Sequence, residues 1–342
     1  MLRWVEGFEE FAAAAGNAPT GLSTKYTVVN GTGSTLETGR TQGLGLRIWN
    51  NSANPTIQTP SFGNQSTLII GIGFQVGITM LGGRIFEILD GATVQCAVYY
   101  NTSGNVEFRR GTTLLETSTD VVFALSTFCY LELKVVIGNT GSYEIKVNST
   151  NVLSNGSIDT QASANAYAQT IKLWGSTAGD PTRGLTFDDW YVADGQAGDV
   201  TDFLGSHRAL TFYPNGEGDL IEWTPSTGTD NSALVDETPH NSDTDYVESG
   251  TTGQQDLYTF ENGTLVQIAG LQVNAVCRET DATPFSIKLV AKSGATTDEG
   301  SGVAIGTTSF VTRSRVLEQD PNTVAAWTDA GYDAAQFGIE IV

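Results

Sequence analysis

Short runs of alternating apolar and polar positions, parted by turn residues, dominate the chain. "STLIIGIGFQVG" (66–77) is apolar throughout, as in a strand buried on both faces. A meander follows: "RIFEILD" (84–90), "TVQCAVYYN" (93–101), "NVEFRRG" (105–111) and "TLLETS" (113–118), with "NTSGN" as a hairpin loop. "YLELKVVIG" (130–138) and "GSYEIKVNST" (141–150) flank a "GNTG" turn. Period two puts Leu131, Leu133, Val135 and Ile137 on one face and Glu132, Lys134 and Val136 on the other. "QTIKLWGS" (169–176) and "GLTFDDWYVAD" (184–194) complete the set. Helical periodicity is confined to two short stretches, 7–16 and 326–338. Strands at this spacing predict an all-β sandwich or jelly roll of two stacked sheets over residues 1–196.

A second series begins after "DGQAGDVTDF". It opens with "RALTFYPNGEGD", which predicts a strand ending in a Pro-Asn-Gly turn, and continues through a polar, acidic stretch from Glu217 to Asp256. Strands return at 256–261, 265–279, 285–294, 302–318 and 335–342. This is a smaller β-sandwich, so two domains are expected, 1–196 and 197–342. The length agrees, since 342 residues exceed what one hydrophobic core usually serves.

Charge narrows the function classes. The net charge of −21 is uneven: 11 basic against 16 acidic residues up to Gln196, 6 against 22 beyond it. No basic stripe exists for phosphates, which argues against nucleic acid and anionic membrane as partners. No stretch of about 18 apolar residues exists to span a bilayer. "MLRWVEGFEEFAAAAG" has acids where a secretion signal has its apolar core, so none is expected. Cys96, Cys129 and Cys277 sit in apolar runs without a CxxC and read as free thiols.

An ordered series in the first half is similar to laminin-G and concanavalin-A-like lectin domains. It comprises "GFE", "TGRTQGLGLRI" (38–48), the apolar strand at 68–76, "YLELKVVIGNTGSYEIKVNSTNVL", "SIDTQASANAYAQTIKLWG" and "LTFDDWYV". The second half resembles a C-terminal module of tailed-bacteriophage structural proteins, through "DFLGSHRALTFYPNGEGDLIEWTPSTG", "VDETPHNSDTDYVESGTTGQQDLYTFE" and "EQDPNTVAAWTDAGYDAAQFGIEIV". The resemblance implies a non-enzymatic virion component assembled in the host cytoplasm. Its implied partners are other virion proteins, copies of itself and a host-surface glycan. A tail- or fibre-associated place presents the first domain to that glycan. A capsid-decoration or spacer role is the alternative, and a glycan-degrading enzyme the third.

Candidate chemistry follows. Sugar sites pair an aromatic platform with amide and backbone donors, which singles out Trp49 with Asn50 and Asn51, and the region of Tyr167 and Trp174. Trp49 and Trp174 also fit as core aromatics at strand ends. No resident cofactor is expected, with calcium the one metal the acidic surface would favour. Its oxygen ligands would come from Glu217, Asp219, Asn241, Asp243 and Asp245, although no EF-hand spacing occurs. Glycoside hydrolysis needs two carboxyls about 5–9 Å apart. Glu132 and Glu144 are expected to point to solvent, and the adjacent Asp188 and Asp189 to opposite faces, so neither pair fits. Asp188, Asp189 and Trp190 are read as structural, in the last strand of the first sandwich, with backbone amides of a neighbouring loop on the inward-facing aspartate. Asp199 and Asp202 then open the second domain. His207 reads as a local cap and His240 as a solvated turn residue.

Overall fold

A computed structural model describes the chain except residues 15–17, 30–32, 51–53, 197 and 282. The chain divides into two compact units, Met1–Leu210 and Thr211–Val342. No helix among the described residues is long and apolar enough to cross a membrane.

The first unit is a β-sandwich of two stacked antiparallel sheets. Its strands are β1 (Leu2–Glu6), β2 (Thr27–Val29), β3 (Thr35–Thr38), β4 (Leu44–Ile48), β5 (Thr56–Gln58), β6 (Thr67–Val76), β7 (Gly83–Asp90), β8 (Thr93–Tyr100), β9 (Val106–Arg110), β10 (Thr113–Thr117), β11 (Phe128–Val136), β12 (Gly141–Val147), β13 (Thr150–Ile158), β14 (Thr170–Trp174) and β15 (Leu185–Ala193). One sheet has eight strands, ordered β13-β12-β11-β6-β15-β4-β3 with β1 beside β15. The other has seven, ordered β10-β9-β8-β7-β14-β5-β2. The core lies between them. Leu68, Ile70, Ile72 and Phe74 of β6 meet Phe86, Ile88, Val98, Phe108 and Leu173 of the second sheet in one apolar cluster.

β15 carries a bulge with a consequence for the whole strand. Leu185 and Phe187 face the core, and so do Trp190 and Val192, an odd pair followed by an even pair. The pairing with β6 slips between Asp188 and Tyr191, and Asp189 takes a left-handed φ of 49°. The extra residue resets the alternation that would otherwise turn Trp190 outward. It also sets Asp188 and Asp189 on the same side, where Arg40 meets both, which corrects the expectation of opposite faces. Gly71 of β6 lies under the Tyr191 ring, whose atoms occupy the place a Cβ would need.

The boundary between units falls at Leu210 rather than Gln196. Residues 198–210 form a strap across the outer side of the eight-stranded sheet, held by polar side chains. Glu132 accepts hydrogen bonds from Tyr191 Oη and Gly205 N, both at 2.8 Å. Asp189 accepts from Ala209 N at 2.9 Å, and Arg40 donates to Ser206 Oγ and the His207 carbonyl. Lys134 reaches Asp202 at 3.1 Å. Glu132 is therefore buried instead of facing solvent, and Asp199 and Asp202 belong to the first unit. A buried carboxylate needs donors, and the strap supplies them as backbone N–H groups.

The second unit is a smaller β-sandwich. Its strands are β16 (Pro214–Ile221), β17 (Thr224–Pro225), β18 (Val247–Glu248), β19 (Gln255–Phe260), β20 (Leu271–Cys277), β21 (Ser286–Ser293), β22 (Thr296–Asp298), β23 (Val303–Ala304), β24 (Val311–Leu317), β25 (Gln319–Asp320), β26 (Ala325–Ala326) and β27 (Gln336–Ile341). Six of these form a sheet ordered β16-β19-β27-β21-β22, with β23 beside β21, and the β20–β24 ribbon packs on it through Leu271, Val273 and Ala275. The expected Pro-Asn-Gly turn is instead the start of β16, a sheet-edge strand whose first residue has no N–H to lose.

Asp256 organises this unit. Its Oδ1 accepts from Glu222 N and Trp223 N, both at 2.7 Å, and its Oδ2 from Asn231 Nδ2 and Tyr258 Oη. All four partners donate, and the carboxylate is fully buried. Asp256→Asn would turn a donor against donors. The second unit is expected to lose about 2–3 kcal/mol in urea unfolding. A change below about 0.5 kcal/mol, the size of an ordinary surface substitution, would show that the network does not hold the unit.

Candidate functional site

The outer face of the seven-stranded sheet gathers side chains from four strands. Register sets Arg84 opposite Tyr99, Tyr99 opposite Glu107, and Glu87 between Ala97 and Lys172. Phe86, Val98, Phe108 and Leu173 turn into the core, so the alternate positions face out. A bulge between Arg84 and Phe86 keeps Arg84 and Glu87 on one face despite their odd separation.

At one end of this face lies a groove of about 290 Å³ lined by Leu81, Arg84, Tyr99, Trp174 and Ser176 among others. The Arg84 guanidinium sits 4.2 Å from the Trp174 ring centroid and 5.8 Å from that of Tyr99. Arg84 Nε donates to Tyr99 Oη at 2.6 Å and lies 3.3 Å from Glu87. Arg109 stacks on the Tyr99 ring at 4.2 Å and holds Glu107 at 2.6 Å. Trp174 is half-buried, and its Nε1 is enclosed with no hydrogen-bond partner. The aromatic rings offer flat apolar faces, and the guanidinium edges offer donors.

Of the residues the sequence singled out for sugar, only Trp174 lines this groove. Trp49 bridges to Ser176, and the half-buried ring leaves its Nε1 unpartnered. Asn50 N donates to Ser176 O at 2.9 Å and its carbonyl accepts from Gly179, so the 49–50 segment braces the loop behind the groove. Asn51 lies outside the described residues. The Tyr167 carbonyl accepts from Gln95 Nε2 at 2.9 Å. Gln95 also binds the backbone of Ala162, Ser163 and Asn165, pinning this loop onto the same sheet face. Arg84, Tyr99, Arg109 and Lys172 carry no local signature, because each comes from a different strand and only the registers bring them to one face. Their one signal was the polar or aromatic half of an alternating run.

The five proposed calcium ligands do not form one set. Glu217 accepts from Asn231 N, and Asp219 pairs with Lys292. Asp243 pairs with Arg278 at 2.6 Å, and Asn241 Nδ2 donates to Glu237 and Asp245. Among the described residues, no group of three or more His, Cys, Asp or Glu side chains is placed to hold a metal. His240 is half-buried against Phe310 rather than solvated, and burial pushes its pKa down. His207 is engaged through its backbone, N to Gly205 O and carbonyl to Arg40. Cys96 and Cys129 are buried and Cys277 half-buried, all three as free thiols.

Beneath the strap sits a cluster of carboxyls. Asp188 accepts from Arg40 N at 2.6 Å and from Asp189 N at 2.7 Å, while Asp189 accepts from Arg40 Nε at 2.8 Å. Burial, and then the neighbouring Asp189, pushes the Asp188 pKa up to about 7. Burial, with Asp188 and Glu6 close by, pushes Glu9 up to about 8. Glu132 and Glu144 each face a lysine across the β11–β12 hairpin. Register sets Glu132 against Lys146 and Glu144 against Lys134.

No family model and no curated protein match the sequence. Among solved structures, the chain is similar to an endo-β-1,4-glucuronan lyase from the fungus Trichoderma reesei, with 8% identity and a TM-score of 0.42 over 56% of this chain and 95% of that one. It is similar to the alginate lyase Aly36B, with 12% identity and a TM-score of 0.41 over 55% and 95%. It is also similar to the carbohydrate recognition domain of Emp46p in its metal-free form, with 8% identity and a TM-score of 0.36 over 55% and 98%.

Proposed function

We propose that the protein binds glycans in the groove on its seven-stranded sheet and does not transform them. The observation that carries this reading is the Trp174–Arg84–Tyr99 stack at the groove. The indole face that Arg84 does not cover takes the C–H side of a sugar ring, while fixed donors around it take hydroxyls. The state of the carboxylates supports binding over acid–base hydrolysis. Glu87 and Glu107 are each held by an arginine and largely enclosed, so neither is a free acid or base for bond cleavage.

A glycan array followed by titration of the retained sugars tests the reading. Trp174→Ala is expected to weaken binding roughly tenfold, the equivalent of about 1.4 kcal/mol, with the melting temperature changed little. Unchanged affinity would remove Trp174 from the site. Release of reducing ends or unsaturated sugars from a bound polymer would replace this reading by the enzymatic one.

The resemblance of residues 199–342 to phage structural modules supports a place for this binding protein. We place it on a virion, tail- or fibre-associated, assembled in the host cytoplasm beside other virion proteins and copies of itself. Labelling intact particles checks this. A capsid-lattice position without sugar binding would favour the decoration role.

A further inference from the structure

One lysine on the groove face differs from the other five in how its charge is used. The chain has 38 acidic and 17 basic residues. Lys25, Lys134, Lys146, Lys288 and Lys292 each hold a carboxylate. Lys172, the sixth lysine, makes no ion pair and no side-chain hydrogen bond among the described residues, although register sets it beside Glu87 and Gln58. Glu87 is turned to Arg84, and Gln58 donates to Thr170. Arg84 pairs with Glu87 through Nε, and only its far end is open. Nε is committed to Tyr99, and its two terminal nitrogens donate no hydrogen bond to a described residue. The stacked Trp174 ring fixes the guanidinium plane. The carboxylates of this face expose little charge, with Glu87 at 5% and Glu107 at 13% side-chain exposure. The Lys172 ammonium and the Arg84 terminal nitrogens are thus cationic donors that make no hydrogen bond to a described residue, on a protein whose net charge is −21.

We infer that the groove selects anionic glycans, with the Arg84 terminal nitrogens forming a fork for a sugar carboxylate, Lys172 supplying a second positive charge and Trp174 taking the ring face. This rests on the glycan-binding reading above. A planar guanidinium held edge-on matches a carboxylate with two parallel N–H···O bonds, and a neutral sugar has no group that repeats that geometry. The neighbouring ammonium raises the local concentration of an anionic polymer without adding shape selectivity.

The test uses the full chain and matched polymers: polygalacturonate and hyaluronate, each beside its carboxyl-reduced neutral form, with neutral glycans on the same array. An acidic polymer bound roughly tenfold more tightly than its reduced form, weakening as salt is raised, is the expected result. Lys172→Gln and Arg84→Gln should each erode that preference. A preference that survives both substitutions overturns the assignment to these side chains. Equal binding of acidic and reduced forms, still lost in Trp174→Ala, overturns the selectivity and leaves the glycan reading in place. Binding to neither form and to no neutral glycan overturns the glycan reading itself.

Discussion

Arg40→Met is expected to destabilise the first unit by about 3–5 kcal/mol at pH 8, the cost of leaving a buried carboxylate without its cation. The Arg40 side chain is 12% exposed and that of Asp189 3%, so water replaces little of the lost interaction. The substitution also frees Ser206 and the His207 carbonyl, which fasten the strap. At pH 5 the loss should shrink, because Asp188 already carries its proton there and Asp189, raised by burial, will take one up once the guanidinium is gone. Urea unfolding of both proteins at the two pH values measures this. A loss below about 1 kcal/mol at pH 8 would mean the pair behaves as an exposed one.

The pH dependence of the intact protein should show the same cluster. With a folded pKa of about 8 for Glu9 and about 7 for Asp188, both carboxyls keep a proton at pH values where the unfolded chain has released it. Folding then takes up protons, so stability falls as pH rises from about 5 to 8, by up to about 1.4 kcal/mol per pH unit for each group. Asp194 and Asp202 act in the opposite sense. Both are lowered despite burial, Asp194 by the N-terminal amine, the Gln196 amide and Arg3, Asp202 by the Phe203 amide and Lys134. Their contribution is present above the usual carboxylate range and is lost only in acid. Maximum stability is thus expected near pH 4–5. Thermal melts between pH 4 and 9 should show the fall, and Glu9→Gln should flatten it. A melting temperature that climbs from pH 5 to 8 would contradict the assignment.

Much of this architecture is legible in the sequence where one strand face is core and the other is not. β6 reads as doubly buried because its apolar run is unbroken, and the β11–β12 hairpin reads from its alternation and its Gly-Asn-Thr-Gly turn. The strap does not read. Residues 198–210 have no periodicity, and their task is to donate backbone N–H groups to carboxylates that look solvent-facing until the strap is placed. Glu132 reads as solvent-facing for that reason and is buried. The Asp188–Asp189 bulge leaves a trace, two adjacent acids within an apolar run, but the left-handed residue that resets the strand is visible only in its backbone. Pro-Asn-Gly carries turn chemistry yet opens β16, because a sheet-edge strand tolerates Pro at its first position. In the groove, Trp174 is conspicuous by residue type. Arg84 and Tyr99 meet across two strands through a register that a bulge adjusts, and Lys172 stands on a third strand of the same face, which no local pattern encodes.

The strap also sets the order in which the first unit would yield to force. A pull on the chain beyond Leu210 loads the Ala209–Asp189 bond first, then the Arg40 contacts at His207 and Ser206, then the Gly205–Glu132 bond. The Leu204–Tyr191 bond, the Lys134–Asp202 pair and the Met1–Val200 bond come next, before tension reaches Asp194, itself tied to the N-terminal amine and Arg3. Peeling β15 from β1 therefore comes last, and a tether that looks like a linker works as a shock absorber for the sheet it crosses.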